Sequence, residues 1–154
     1  MQKAKTAWVN DIAVMHTKFG VNTVIRSLPK DKLLKFLEFR LNFLQEELDE
    51  AKLALSQMNE ITSGTADIAG LEPSDGFVDA MIDLCVVAIG TLDALDVDSD
   101  LAWDRVTAKN MEKEPGIKPN RPNPLGLPDL IKPAGWTSPV HHDNIGLLEQ
   151  ISSQ

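Results

Sequence analysis

At 154 residues and 43% apolar composition, the chain is long enough to bury one core and too short for two typical domains. A formal net charge of −8 excludes a surface built to coat nucleic acid, which needs a basic stripe, but not a nucleotide whose phosphates are met locally. A single cysteine, Cys85, excludes a disulfide framework within the chain and reads as a small core residue.

Met1 to Phe19 alternates charged and apolar residues and has no apolar h-region, so a cytosolic protein without a signal peptide is expected. The first helix is predicted over Thr6 to Phe19, with Val9, Ile12, Met15 or His16, and Phe19 on one face and Gly20 as its stop. A loop through Leu28-Pro29 follows. Asp31 can cap a second helix from Lys32 to Met58. A polar connector from Asn59 to Ser74 leads to a third helix, Asp75 to Leu95. Its apolar run, Phe77 to Leu95, is not read as a membrane span, because Asp79, Asp83 and Asp93 would be expensive in lipid. Asp98 or Ser99 caps a fourth helix ending near Glu114, before Pro115-Gly116. No strand-like alternation of useful length appears, so the fold class is all-α.

Residues 115–154 differ from the rest. Prolines at 115, 119, 122, 124, 128, 133 and 139 exclude regular helix and central strand. Trp136, His141, His142 and the Leu-rich segment Ile145 to Ile151 still suggest an ordered arm, packed on its own helices or on a neighbouring subunit. The predicted organisation is a helical domain over 1–114 and a Pro-rich irregular arm over 115–154.

Two acidic clusters lie within apolar helix faces. In the second helix, Leu33, Leu37, Leu41, Leu44, Leu48, Ala51 and Leu55 form a stripe predicted to face the core. Beside it runs a ridge of Phe43, Glu47, Glu50 and Ala54. Glu47 and Glu50, on adjacent turns, can close on one ion, with Glu46 reaching it from the flank. In the third helix Asp79 and Asp83 are four apart, and all the other residues from Ala80 to Ile89 are apolar. Carboxylates occupy such positions when something cationic pairs with them. Neither run supplies an evident Lys or Arg on the same ridge, so a divalent metal is the expected partner. The weaker reading, exposed acids favoured by a helix dipole, suits Glu46 and Asp49 best.

Carboxylate oxygens suit Mg²⁺ or Mn²⁺, and Mg²⁺ completes its shell with water and substrate phosphates. A di-iron bundle needs Glu-x-x-His, and neither His16, His141 nor His142 follows a glutamate at that spacing. Asp96-x-Asp98-x-Asp100 imitates an EF-hand start but has Leu101 where the turn requires glycine and Thr107 where the last ligand is glutamate. It is read as a loop and helix cap. The adjacent pair His141-His142 has no fixed common face and is not read as a metal site.

Glu46-Glu47-x-x-Glu50, followed about thirty residues later by Asp79 and Asp83, resembles the all-α nucleoside triphosphate pyrophosphohydrolases. This superfamily includes MazG, dimeric dUTPase and phosphoribosyl-ATP pyrophosphohydrolase. The likeness is closest to its MazG-like, phosphoribosyl-ATP-pyrophosphohydrolase-like branch of phage type. That branch carries an early His-x-x-Phe-Gly, here His16 to Gly20, and a late Asn-Met-x-Lys, here Asn110 to Lys113. The superfamily's usual Glu-x-x-Asp is altered, since Ala80 stands three before Asp83 and Asp79 takes the acidic role. The resemblance implies four-helix-bundle subunits forming homodimers or homotetramers. It also implies cleavage of a nucleoside triphosphate to the monophosphate and pyrophosphate, with no nucleic-acid polymer or membrane as partner. Some phage members, called MazZ, act on (d)GTP.

On this reading Glu47, Glu50, Asp79 and Asp83 are metal ligands, and Glu46 orients or deprotonates water. Lys109, Asn110 and Lys113 meet phosphate, although lysines also suit a helix C-terminus. His16 sits against base or sugar, or is a packed, hydrogen-bonded histidine. Lys118 and Arg121 close the phosphate side from the arm, and Trp8, Phe19 and Trp103 are candidates for base stacking. The alternatives are a non-catalytic helical oligomer that binds cations or partners, and a true phosphoribosyl-ATP pyrophosphohydrolase.

Overall fold

A computed structural model describes residues 6–65, 70 and 72–152. Part of the expected Asn59–Ser74 connector lies outside these residues. The described residues are mostly helical, as the all-α reading requires. Helix α1 spans Ala7–Phe19 and ends on Gly20, whose left-handed backbone (φ 69°) lets its N–H reach the His16 and Thr17 carbonyls. The chain turns at once into α2, Val21–Arg26, where a loop was expected. Its Ile25 is buried with Leu33, Ala94 and Leu95, and Val21 and Leu28 pack on the same cluster. Tertiary burial makes a helix of a segment too short to hold one alone.

Helix α3, Lys30–Ser63, is 34 residues long and starts and ends beyond its predicted bounds. Its N-cap is Pro29; the Asp31 side chain lies within the first turn, where the dipole favours it, and makes no cap. Helix α4, Pro73–Ala94, opens with a proline, whose missing N–H costs nothing there. It packs along α3 as the most extensive contact of the fold, with α1 laid on α4. Asp98 caps α5, Ser99–Met111, by accepting from the Leu101 N–H at 3.0 Å. Asp96, with a positive φ, is held by Arg26, so the Asp96–Asp100 segment is the loop and cap that was expected.

The core-facing stripe predicted for α3 needs correction. Leu33, Ala51 and Ala54 are buried, but Leu41, Leu48 and Leu55 are 65, 41 and 50% exposed. Helix α4 lies over the face of Leu33, Arg40, Glu47 and Ala54, rotated from the leucine stripe, and leaves those leucines uncovered within one chain. Helix α5 meets α4 only weakly and is instead fastened to the arm.

The arm packs on its own chain. A three-residue antiparallel pair, β1 Glu114–Gly116 with β2 Asp129–Ile131, forms where no strand was expected. Both strands are edges, so Pro115 is tolerated. Asp129, 8% exposed, accepts from the Lys118 N–H at 3.0 Å and the Arg121 guanidinium at 2.8 Å, pinning the intervening loop. Arg105 of α5 holds Asp143 through two bonds of 2.7 Å, and Asn144 brackets Asp98 with bonds of 2.9 and 2.8 Å. The Leu147 N–H then donates to the Leu95 carbonyl, and Leu147, Leu148 and Ile151 of the terminal turn and α6, Glu149–Ser152, cover the core cluster.

Candidate active site

The acidic residues predicted as ligands come from the two helices with the largest mutual contact. Glu47, on the α3 face turned to α4, is half-buried, as is Asp83; Glu46, Glu50 and Asp79 are more exposed. Burial pushes the Glu47 carboxyl above its ordinary range, and the charges of Glu50, Asp83, Glu46 and Asp79 push it further. With Glu47 itself, that list is the predicted set: the fold brings the other four acids within electrostatic reach of its carboxyl. Asp49, in contrast, faces solvent in a 2.8 Å pair with Lys52, which lowers its pKa. It is the ordinary surface acid the weaker reading allowed.

Among the described residues, no three carboxylate, histidine or cysteine groups stand close enough together to enclose an ion. The donor set itself still suits a hard divalent cation, since it consists of carboxylate oxygens with no nitrogen or sulfur. Next to Glu50, α3 and the start of α4 enclose a groove of about 350 Å³ lined by Glu50, Leu53, Ala54, Gln57, Glu72, Pro73 and Gly76. Its lining combines two carboxylates, one amide and apolar side chains.

One residue on this ridge was missed. Arg40, seven residues before Glu47 and so on the same face, is a half-buried cation, contrary to the expectation that the ridge has none. Its Nε donates to Thr91 Oγ1 at 2.9 Å and its Nη2 to the Val87 carbonyl at 2.8 Å. Burial lowers its pKa. With its donors directed to neutral oxygens of α4, it is bonded to none of the acids. The seven-residue spacing was the signal that could have found it.

His16 takes the packed alternative. It is 4% exposed, and Nδ1 lies 2.8 Å from Asp93 Oδ2, which also accepts from Asn22 Nδ2 at 3.0 Å. The ring lies between α1 and α4 against Gly90, close to the Arg40 guanidinium. Contact with substrate would require the ring to leave Asp93.

Lys109, Asn110 and Lys113 are brought together at the end of α5. Lys109 pairs with both Glu112 oxygens at 2.9 Å, and Lys113 donates to Asn110 Oδ1 at 2.7 Å. Their bonds run within α5 and to the arm, not to the carboxylates of α3 and α4. Lys118 and Arg121 serve the Asp129 loop. Trp8, Phe19 and Trp103 are all more than half exposed, and Trp8 borders a shallow apolar hollow of about 190 Å³ with Ile12, Ile82, Val86 and Ile89.

A family model for phosphoribosyl-ATP pyrophosphohydrolase matches residues 27–110, more than half of the chain. The match includes the five acids, Arg40, Lys109 and Asn110, and stops short of His16, Lys113 and the arm. No curated relative matches the chain. No helix of the described residues is long and apolar enough to cross a membrane. With its acids gathered between α3 and α4 and this match along both helices, the chain belongs to the phosphoribosyl-ATP pyrophosphohydrolase family of the all-α nucleoside triphosphate pyrophosphohydrolases, hydrolases that act on phosphoric anhydride bonds.

Proposed function

We propose that the protein is a metal-dependent nucleoside triphosphate diphosphohydrolase of the cytoplasm, releasing a (d)NMP and pyrophosphate from a (d)NTP. The observation that carries this is the placement of Glu47 and Asp83, both half-buried, on the two helices that pack most extensively, with Glu46, Glu50 and Asp79 near enough for their charges to push the Glu47 carboxyl up after burial has done so. Glu47, Glu50, Asp79 and Asp83 would hold Mg²⁺ or Mn²⁺. Such an ion supplies charge neutralisation for the phosphates and acidification of water. Glu46, exposed at the flank, orients the attacking water and takes its proton. The groove beside Glu50 takes the nucleoside, where Gln57 can hydrogen-bond to the base. Lys109, Asn110 and Lys113 meet the phosphates. His16 acts from behind, fixing α1 on α4 through Asp93, a positioning role.

The uncovered leucines of α3, with Met81 and Ile82 of α4 at 44 and 45% exposure, support a homodimer or homotetramer that completes the helical bundle. Such an assembly can bring the α5 lysines of one copy to the carboxylates of another. The phage-type motif order makes (d)GTP the first nucleotide to test.

Ion-exchange analysis of products after incubation with each NTP and dNTP, in Mg²⁺, Mn²⁺ or EDTA, tests this reading. Metal-dependent monophosphate plus pyrophosphate is expected. Glu50→Ala and Asp83→Ala should abolish it with helical circular dichroism intact; retained turnover in either would refute the ligand assignment. The family match favours a second substrate, phosphoribosyl-ATP itself. Turnover of that compound alone would select it.

A further inference from the structure

Two ammonium groups lie against one aromatic ring where the arm meets α5. Lys113 Nζ is 5.3 Å and Lys132 Nζ 4.5 Å from the centroid of Trp136. The ring is fixed, because its Nε1–H donates to the Lys109 carbonyl at 2.9 Å. Lys113 has a neutral partner, the Asn110 amide oxygen, and neither ammonium takes part in the ion pairs of the described residues. In a chain of net charge −8, cations normally find carboxylates. Here both stand within 5.3 Å of the centroid of one indole, whose π-electrons attract each of them. An ammonium has three donors, so Lys113 keeps two free after its bond to Asn110, and Lys132 keeps all three. Such a pair suits a multiply charged oxyanion long enough to touch both.

We propose that Lys132 and Trp136 of the arm, with Lys113 just past the end of α5, form a polyphosphate-binding site that takes the β- and γ-phosphates of the nucleotide. The identification of that polyphosphate with the substrate rests on the function proposed above; the anion site itself does not. Lys113, Lys132 and Trp136 all lie beyond the family match, which ends at residue 110.

Isothermal titration of the full-length protein with inorganic tripolyphosphate in EDTA tests the site without turnover. Binding is expected, weakened about tenfold by Lys132→Gln, since one charge-assisted hydrogen bond is lost. Lys132→Arg should retain it, and Lys35→Gln on α3 should leave it unchanged. In turnover, Lys132→Gln should raise KM with little change in kcat. No tripolyphosphate binding, or equal binding by wild type and Lys132→Gln, would overturn the proposal. Binding lost in Lys132→Gln by a protein that turns over no nucleotide would uphold the anion site and reject the nucleotide reading.

Discussion

Gly90→Ala tests whether the His16–Arg40 cluster is rigid. A methyl built on Gly90 would sit 3.1 Å from Arg40 Nη2, 3.1 Å from His16 Nε2 and 3.3 Å from His16 Cε1. Each is a few tenths of an ångström inside comfortable contact, and neither neighbour is free to yield. His16 is tethered by its 2.8 Å bond to Asp93, and Arg40 by bonds of 2.9 and 2.8 Å to Thr91 and Val87. Overpacking of this kind costs roughly 1–3 kcal/mol, and loosening one charge-assisted bond about 1.5–3 kcal/mol. Against this, alanine in place of glycine within a helix gains about 1 kcal/mol. The net expectation is destabilisation by about 1.5–5 kcal/mol, a fall in Tm of roughly 3–20 °C for a domain of this size. Urea unfolding followed by circular dichroism measures it. In a cycle with Arg40→Ala, the penalty should shrink, because one of the two obstacles has gone. A Gly90→Ala protein as stable as wild type, or more so, would refute the claim that both side chains are pinned.

Glu47→Gln should abolish turnover yet stabilise the protein. A carboxyl whose folded pKa exceeds its unfolded one holds its proton more tightly when folded, so stability falls as pH rises from the ordinary 4.5 through the raised value. The variant escapes that loss: urea unfolding in EDTA should show no advantage at pH 4 and a clear one at pH 8, and equal stability at pH 8 would contradict the clustering. Asp143 behaves in the opposite sense. The Arg105 guanidinium holds its carboxyl down at about 2, so its contribution is full above the ordinary 3.8 and lost as pH falls towards 2. Asp143→Asn should therefore make the arm more sensitive to limited proteolysis at neutral pH while α3 and α4 stay intact; unchanged cleavage would show that the pair does not fasten the arm.

Much of this architecture was legible in the chain. Helix periodicity, Gly20 as a stop, Asp98 as a cap and the break before Pro115 are local events, governed by backbone dihedrals and the first and last turns. The carboxylates at 47, 50, 79 and 83 stood out for the same reason, since helical spacing alone places them on apolar faces. What failed was non-local. The leucines at 41, 48 and 55 form an apolar stripe as regular as any core, yet α4 lies over the face of Leu33 and Ala54, with its own Ala80 buried. That choice half-buried Arg40 and turned Glu47 of α3 towards Asp83 of α4. It also left the leucine stripe for another surface.

The arm shows the same division. Its prolines excluded regular helix and interior strand, and only the tertiary structure placed Trp136 against Lys109, Lys113 and Lys132, Asp143 on Arg105 and Leu147 on the core. The sequence by itself determined the long helices α1, α3, α4 and α5 and placed the carboxylates along them, because helical spacing and caps depend on neighbours within a turn or two, whereas the short α2 depends on tertiary burial. Tertiary packing decided which faces meet and which neutral or acidic partners the cations take, because that depends on which surfaces bury the most apolar area while leaving each buried polar group a partner.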